Sequence, residues 1–160
     1  MKQKCVICGK QLLEPDGVSG APMLLVMDSP GWDDILRGQM YGEKLRTFLV
    51  QTLGAIGISF YDCRRTLLWR HAPSDEHDCL PTFKNDLAKE LEKSKFALLM
   101  GNTCELMFGL DSHSYWGIQV RNELIQCKMM AAPNPYHVMS GMLGEWELAL
   151  QRFNEMKGVK

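Results

Sequence analysis

Short continuous apolar runs alternate along the chain with segments whose apolar residues recur at helical spacing. The clearest runs are MLLVMD (23–28), TLLWRHAP (66–73) and FALLMGN (96–102). Uninterrupted apolar runs of this length are typical of strands that are buried on both faces of a parallel sheet. Helical spacing predicts helices near 45–56, 81–91, 103–109 and 143–153.

The segment 118–135 (IQVRNELIQCKMMAAPNP) holds two further strand-like runs joined at 121–123, which predicts a hairpin. Strands that alternate with helices favour right-handed crossovers and a layered α/β fold. We therefore predict a three-layer α/β/α sandwich with a short, mostly parallel central sheet. A chain of 160 residues can bury a core of its own, and we predict one domain over 1–160.

Three unusual turns follow the predicted strands. They are Asp28-Ser29-Pro30-Gly31, the segment after Trp69, and Pro133-Asn134-Pro135. In a sheet of this type, ligands bind in the crevice outside the carboxyl ends of the parallel strands. The three turns should meet there, so the sequence predicts a binding site at that edge.

The overall charge gives no strong indication of a nucleic-acid partner. The formal net charge is −1, so any contact with DNA needs a local basic patch, for which Arg64, Arg65 and Arg70 near the second strand and Lys44 and Arg46 at a helix start are candidates. No apolar stretch approaches the length of a membrane span, so we expect no membrane contact. We also expect the protein to be a monomer. Six cysteines without a recognisable signal segment predict a reducing, cytoplasmic compartment.

The first cysteines form a motif that points to a metal. CVICGK (5–10) is a Cys-x-x-Cys-Gly knuckle, an arrangement in which two thiolates bind the same metal. Two ligands do not complete a site, so further ligands must come from elsewhere in the chain.

The segment LLVMDSPGWDDILRGQMYGEKLRTFL (24–49) resembles the first motif of the uracil-DNA glycosylase superfamily, in particular the family 4 type that carries an iron–sulfur cluster. Pro30 and Gly31 match that motif, and Asp28 stands at the position of its Glu. The segments 66–73, 96–102 and 132–139 follow in the order of the later family motifs. The resemblance therefore extends colinearly over about residues 5 to 150.

The resemblance implies a DNA glycosylase that binds a flipped uracil or another altered base and hydrolyses its N-glycosidic bond. In that role Asp28 would stabilise the oxocarbenium-like transition state or orient the water. A backbone N–H at Ser29 or Gly31 would hold a base carbonyl, and Tyr41 would stack on the flipped base. Single-stranded and double-stranded DNA both remain open as the ligand.

Several active-site positions depart from the family pattern. Asn134 stands where the family has its catalytic His, and His137 could take over that role. Thr66 or Leu67 stands where the family reads the edge of the base with an Asn. The alternatives are an enzyme that acts on uracil or another altered base, a catalytically silent relative that binds DNA, a modified base or a protein partner, and a base-modifying enzyme that reuses the pocket.

The resemblance also implies the remaining metal ligands. In the family, a Cys near the second strand and a Cys at the start of the next helix complete the knuckle. Cys79 matches the latter, and the former has become Arg70 or His71. Cys5, Cys8, His71 and Cys79 would suit a zinc ion, whereas the family relation favours a [4Fe-4S] cluster, and both remain open.

Overall fold

The computed structural model describes residues 3–74 and 76–158. In this part of the chain, five strands form one sheet in the order β2-β1-β3-β5-β4. The strands are β1 (Met23–Met27), β2 (Arg64–Leu67), β3 (Phe96–Met100), β4 (Gln119–Asn122) and β5 (Ile125–Ala132). All neighbours are parallel except β4, which pairs antiparallel with β5 at the edge. The mostly parallel sheet and the hairpin are confirmed.

Helices cover both faces of the sheet. They are α1 (Trp32–Arg37), α2 (Glu43–Gly54), α3 (Leu80–Glu92), α4 (Thr103–Phe108), α5 (Ser112–Tyr115), α6 (Pro135–Val138) and α7 (Leu143–Gly158). None of the described helices is long and apolar enough to cross a membrane.

Successive side chains of each strand enter two different cores. In β1, Leu25 and Met27 pack with residues of α2, α6 and α7, whereas Leu24 and Val26 pack with residues of α3, α4 and α5. The alternation follows from the strand geometry, which sends neighbouring side chains to opposite faces. The prediction of a three-layer α/β/α sandwich is confirmed.

The second strand is shorter than the apolar run predicted. It ends at Leu67, although the backbone N–H groups of Leu68 and Trp69 still donate to the carbonyls of Met27 and Asp28. The prediction that it continues to Pro73 is wrong. From Arg70 onward the chain leaves β1, because its polar side chains bind the N-terminal segment instead.

The side on which successive strands are added to the sheet changes between β1 and β3. From β1 the chain continues to β2 on one side, and it then crosses over to β3 on the other side. In doubly wound sheets the ligand crevice opens at the carboxyl ends of such a strand pair. Asp28 follows β1 and Gly101 follows β3, so these two residues lie at the switch point.

Candidate functional site

The four predicted metal ligands come together in the folded chain. The ligand atoms of Cys5, Cys8, His71 and Cys79 all lie within 4.8 Å of one another. The Sγ atoms of Cys5 and Cys79 are 3.8 Å apart, and Cys8 Sγ is 3.4 Å from His71 Nε2. The arrangement is close enough to hold a metal ion.

Local backbone geometry shapes the knuckle that carries the first two ligands. Gly9 has a left-handed φ of 77° and donates its N–H to the Cys5 carbonyl at 2.9 Å. A side chain would strain that conformation, which explains a glycine directly after Cys8. Lys4 and Gln11 pair as an antiparallel bridge, so the knuckle is the turn of a small hairpin.

The other two ligands come from the end of β2 and the start of α3. His71 Nδ1 lies 2.8 Å from the Ala72 carbonyl, which accepts its proton and leaves Nε2 for a metal. Cys79 immediately precedes α3, whose first turn contains Pro81. The His71 ring packs edge-on against Phe83, with ring centroids 4.9 Å apart. The hydrogen bond and the ring contact together fix the orientation of the imidazole.

Hydrogen bonds beside the ligands fasten the same segments. The buried Arg70 side chain donates from Nε to the Leu13 carbonyl at 3.0 Å, and Leu13 N–H donates to the Arg70 carbonyl at 2.7 Å. The Arg70 guanidinium also pairs with Glu14 and, at longer range, with Asp86. The metal site therefore lies where the N-terminal segment, β2 and α3 meet.

Two of the thiols differ in acidity. Burial acts to raise the pKa of Cys5, but the backbone N–H groups of Cys8 and Ile7 donate to its sulfur and bring the pKa below its usual value. Burial raises the pKa of Cys79, and the neighbouring sulfurs of Cys5 and Cys8 raise it further. A bound cation would compensate the repulsion between clustered thiolates, because metal ligation deprotonates a thiol.

Asp28 lies at the switch point of the sheet, as the turn pattern predicted. Its side chain is 8% exposed, and Oδ2 accepts a hydrogen bond from the backbone N–H of Asn102 at 2.9 Å. The hydroxyl of Ser29 donates to Oδ1 at 3.4 Å. Gly101 has a left-handed φ of 68°, and a Cβ there would lie 2.6 Å from Asp28 Oδ2. The carboxylate is thus held against the turn that follows β3.

A second carboxylate, not singled out in the sequence, organises the loop after β1. Asp34 is 1% exposed and accepts hydrogen bonds from Gly31 N–H at 3.0 Å and Gly42 N–H at 2.8 Å. Burial raises the pKa of Asp34, although these N–H groups act to lower it. The prediction that Gly31 N–H holds a base carbonyl is therefore corrected, because that donor is already used. An acid at the third helical position after Gly31 is the capping-box signal that could have identified Asp34.

The loop after β5 contacts the loop after β1. Asn134 caps α6, with its Oδ1 accepting Tyr136 N–H at 2.9 Å. A Cβ on Gly31 would lie 2.9 Å from the Tyr136 hydroxyl, so the ring covers that glycine. Burial, together with the charge of Asp34, raises the pKa of Tyr136 to about 12. His137 is exposed on α6.

Tyr41 and Thr66 are buried in the core, and each only borders a surface cleft of about 190 Å³. The Tyr41 ring is 1% exposed, and its hydroxyl donates to the Thr66 carbonyl at 3.0 Å. Thr66 is buried within β2, and its hydroxyl contacts the Leu67 carbonyl at 3.4 Å. Neither side chain offers a face or a polar atom to a base in this structure. In place of the predicted stacking role, Tyr41 has a core role.

The exposed aromatic ring next to the crevice is Trp32. It is the first residue of α1, directly after Gly31, and it is 73% exposed. Its place beside the Pro-Gly turn was the signal that could have drawn attention to it.

In comparisons with known proteins, no protein-family model matches the chain and no curated protein matches it. The interpretation of the site therefore rests on the residues of this chain and on their geometry.

Proposed function

We propose that this protein recognises an altered base in DNA, uracil being the first candidate, and cleaves its N-glycosidic bond. The observation that carries the proposal is the placement of Asp28 at the β1/β3 switch point, where the loop after β5 also arrives. The colinear resemblance to uracil-DNA glycosylases supports the same interpretation, since Asp28 stands at the position of the family's acidic residue.

The side chains at this edge suit the chemistry of glycosidic cleavage. The transition state develops positive charge on the sugar, and a fixed carboxylate such as Asp28 stabilises that charge. Asn102 N–H and the Ser29 hydroxyl hold the carboxylate in place, which reduces the reorganisation that the reaction requires. Asn134 uses Oδ1 as the helix cap, so its Nδ2 remains as the donor for a base carbonyl.

We propose that the resident metal is a single zinc ion rather than an iron–sulfur cluster. Tetrahedral zinc with Zn–S bonds of about 2.3 Å places two ligand sulfurs about 3.8 Å apart, and Cys5 and Cys79 have that separation, 3.8 Å. In a four-iron cluster each thiolate binds a different iron, so the ligand atoms must stand farther apart. The limit of 4.8 Å for all pairs favours one ion.

The role of this ion would be structural. Its ligands fasten the knuckle to the segment after β2 and to the start of α3. When bound, zinc supplies cross-linking energy to the fold, as in other small sites with four protein ligands. The proposed chemistry at Asp28 does not require the metal.

A second candidate function is a catalytically silent relative that binds DNA or a partner. The observation that favours it is the tight closure of the crevice, since Asp28 is buried and Gly31 N–H is already bound to Asp34. Five clefts of about 190 to 500 Å³ lie on the described surface, and neither Asp28 nor Asn134 lines any of these five. An enzyme of this shape must open at the crevice before it can admit a base.

The test is a cleavage assay on labelled oligonucleotides that carry uracil, hypoxanthine or 5-hydroxymethyluracil, in single and double strands. Alkali-labile abasic sites are the expected product. Asp28→Asn should reduce cleavage by about 100-fold or more and leave DNA affinity nearly unchanged. Asp33→Asn, at an exposed acid on α1, is the matched control and should cleave like the wild type.

The outcomes separate the two candidates. DNA binding without cleavage of any base would replace the enzyme with the silent relative. A protein that neither cleaves nor binds DNA would overturn both DNA-directed functions and favour a protein partner.

A further inference from the structure

The short helix α1 presents apolar side chains to solvent beside the crevice. Trp32, Ile35 and Leu36 are all exposed, with Trp32 at 73% and Leu36 at 67%. Their spacing of three and four residues places them on one side of the helix. Single exposed apolar residues are common. Three of them within one and a half helical turns indicate a surface that binds a ligand or a partner molecule.

The orientation of α1 is determined by buried hydrogen bonds. Asp34 points inward and binds the N–H groups of Gly31 and Gly42, so both ends of the 31–42 loop are tied to one carboxylate. Gly38 ends the helix with a left-handed φ of 67° and donates its N–H to the carbonyl of Ile35 at 3.3 Å. The buried hydrogen bonds fix the inner side of α1. Its apolar side therefore faces outward because of this fixed orientation and not because the segment is flexible.

Three clefts follow one another along this loop. The first, of about 350 Å³, lies between Lys10 on the knuckle and Ile35 on α1. The second, of about 350 Å³, shares Gly38 with the first and adds Arg37 and Arg46. The third, of about 190 Å³, again contains Arg37 and Arg46. We call this continuous feature, from Lys10 to Arg46, the α1 groove.

The charges of the α1 groove are only partly compensated. Of its acids, Glu14 pairs with Arg70, and Asp16 pairs closely with Arg65 at 2.8 Å. Among the described residues, neither Lys10 nor Arg37 has an ion-pair partner. The remaining acid, Glu43, lines the third cleft, at the end of the groove away from Lys10. Lys10 therefore shares the first cleft with Ile35, which belongs to the exposed apolar side of α1, and Arg37 on the same helix lines the next cleft.

We propose that Trp32 is a stacking platform for an unpaired nucleobase and that the α1 groove holds the backbone of a single-stranded DNA segment. An exposed indole on the helix that borders a groove with cations matches a base with its backbone phosphates, and stacking on aromatic side chains accepts any base. The occupant is single-stranded because a paired duplex does not expose base faces. The choice of DNA rests on the proposed function, whereas the platform itself rests on the exposure and charge of α1.

The experiment is a titration of the zinc-loaded protein with a dye-labelled twelve-residue oligothymidylate, in which the anisotropy of the dye gives the affinity and the indole fluorescence of the protein reports stacking. The corresponding duplex is the second probe. Trp146 is buried and Trp69 and Trp116 are partly buried, so Trp32 is the indole that a stacked base quenches most. Quenching is expected for the wild type and should be absent in Trp32→Phe. Trp32→Ala should weaken binding by about 5- to 150-fold, and Trp32→Phe should retain most of the affinity because it keeps a ring.

Two control variants complete the design. Leu124→Ala removes an apolar side chain that is even more exposed, on the β4–β5 turn, and should leave affinity unchanged. Arg37→Ala should weaken binding of all sequences alike and reduce its dependence on salt.

The outcomes distinguish this inference from the proposed function. If the wild type binds the oligonucleotide and Trp32→Ala binds equally well, the stacking platform is overturned and DNA recognition stands. If the wild type binds neither probe, the stacking platform is overturned, and the cleavage assay on oligonucleotides with altered bases decides the proposed function separately. If light scattering shows a dimer that Trp32→Ala dissociates without changing DNA affinity, α1 is an interface between two copies and the platform is overturned.

Discussion

The carboxylate of Asp28 and the backbone N–H of Asn102 form a 2.9 Å hydrogen bond across the point where the strand order reverses. Asp28 follows β1, and Asn102 follows β3 after the single residue Gly101. The bond joins the two loops between which a ligand of this fold type binds. The position and the orientation of Asp28 therefore depend on the turn that Gly101 makes.

Gly101→Ala should destabilise the protein and displace Asp28. The new Cβ would lie 2.6 Å from Asp28 Oδ2, and the φ of 68° strains any side chain. Gly109→Ala is a matched control, because Gly109 has a φ of 70° with no atom within 4 Å of a new Cβ. The control should lose about 1 kcal/mol of unfolding free energy, and Gly101→Ala clearly more. Equal losses of unfolding free energy for the two variants in urea denaturation would show that the contact between residue 101 and Asp28 does not contribute to the destabilisation.

The purified protein should contain about one zinc ion per chain, and Cys5→Ser should lose it. Elemental analysis measures the metal, and thermal unfolding should show a lower midpoint for the variant. Cys127→Ser is the control, since Cys127 is buried away from the four ligands and the variant should keep its zinc. Several irons per chain with absorbance near about 400 nm would instead indicate an iron–sulfur cluster.

Asn134→His should lower stability and raise uracil excision. The Asn134 side chain caps α6, and loss of such a cap costs about 0.5–2 kcal/mol. Imidazole would return a donor that can also carry positive charge toward the leaving base. Asn134→Asp keeps a capping oxygen without the Nδ2 donor, so it should stay stable and bind uracil-containing DNA less tightly. Unchanged binding in Asn134→Asp would remove Asn134 from the site.

Tyr41 should act through the core and not through base stacking. Tyr41→Phe loses the hydrogen bond to the Thr66 carbonyl, which is worth about 1 kcal/mol. Tyr41→Leu should be less stable still, since it also removes a buried ring. Both variants should bind oligonucleotides like the wild type at temperatures where they are folded. A loss of affinity in Tyr41→Leu alone would restore the stacking role.

Asp34 should make the protein less stable as the pH rises through the range above its ordinary pKa of 3.8. Its pKa is raised in the folded state, so between the ordinary and the raised value the folded chain holds a proton that the unfolded chain has lost. The contribution of Asp34 to the free energy of unfolding therefore falls with rising pH in this window and stays constant above it. Urea denaturation across this window should show the slope in the wild type and not in Asp34→Asn.

Asp16 provides the opposite case as a control. The hydrogen bond from Arg65 lowers the pKa of Asp16, so its contribution is present above pH 3.8 and is lost as the pH falls through its folded-state pKa. Asp16→Asn should therefore lower the free energy of unfolding by a constant amount above pH 3.8, and should change its slope with pH only below the window of Asp34. An identical effect of both substitutions would contradict the assignment of the slope to Asp34.

Much of the architecture followed from periodicity. Residues such as Leu24 to Met27 and Ala97 to Met100 form runs that can be buried only between two layers, and the fold has those layers. The sequence analysis did not predict α1, α5 and α6, which have four to six residues each. They follow turns at strand ends, and contacts such as Tyr136 over Gly31 decide their placement.

The metal ligands show which parts of the site can be predicted from the sequence and which require the folded structure. The knuckle at Cys5 and Cys8 is a local pattern that its spacing predicts. The spacing does not decide between Arg70 and His71 as the third ligand. Both residues follow β2, and only the folded chain turns Arg70 toward Leu13 and His71 toward the thiols. A sequence states which ligand types are available, but the direction of each side chain depends on where the strand ends.

The sequence by itself determined the layers of this protein, the edge at which its loops collect and the acid that follows its first strand. These features depend on local periodicity and on residues that are close along the chain. Tertiary structure alone decided that Tyr41 is buried, that Trp32 is exposed and that Asp34 binds both ends of its loop. Such assignments depend on contacts between residues far apart in sequence, whose burial becomes defined only when the sheet and its helices have packed.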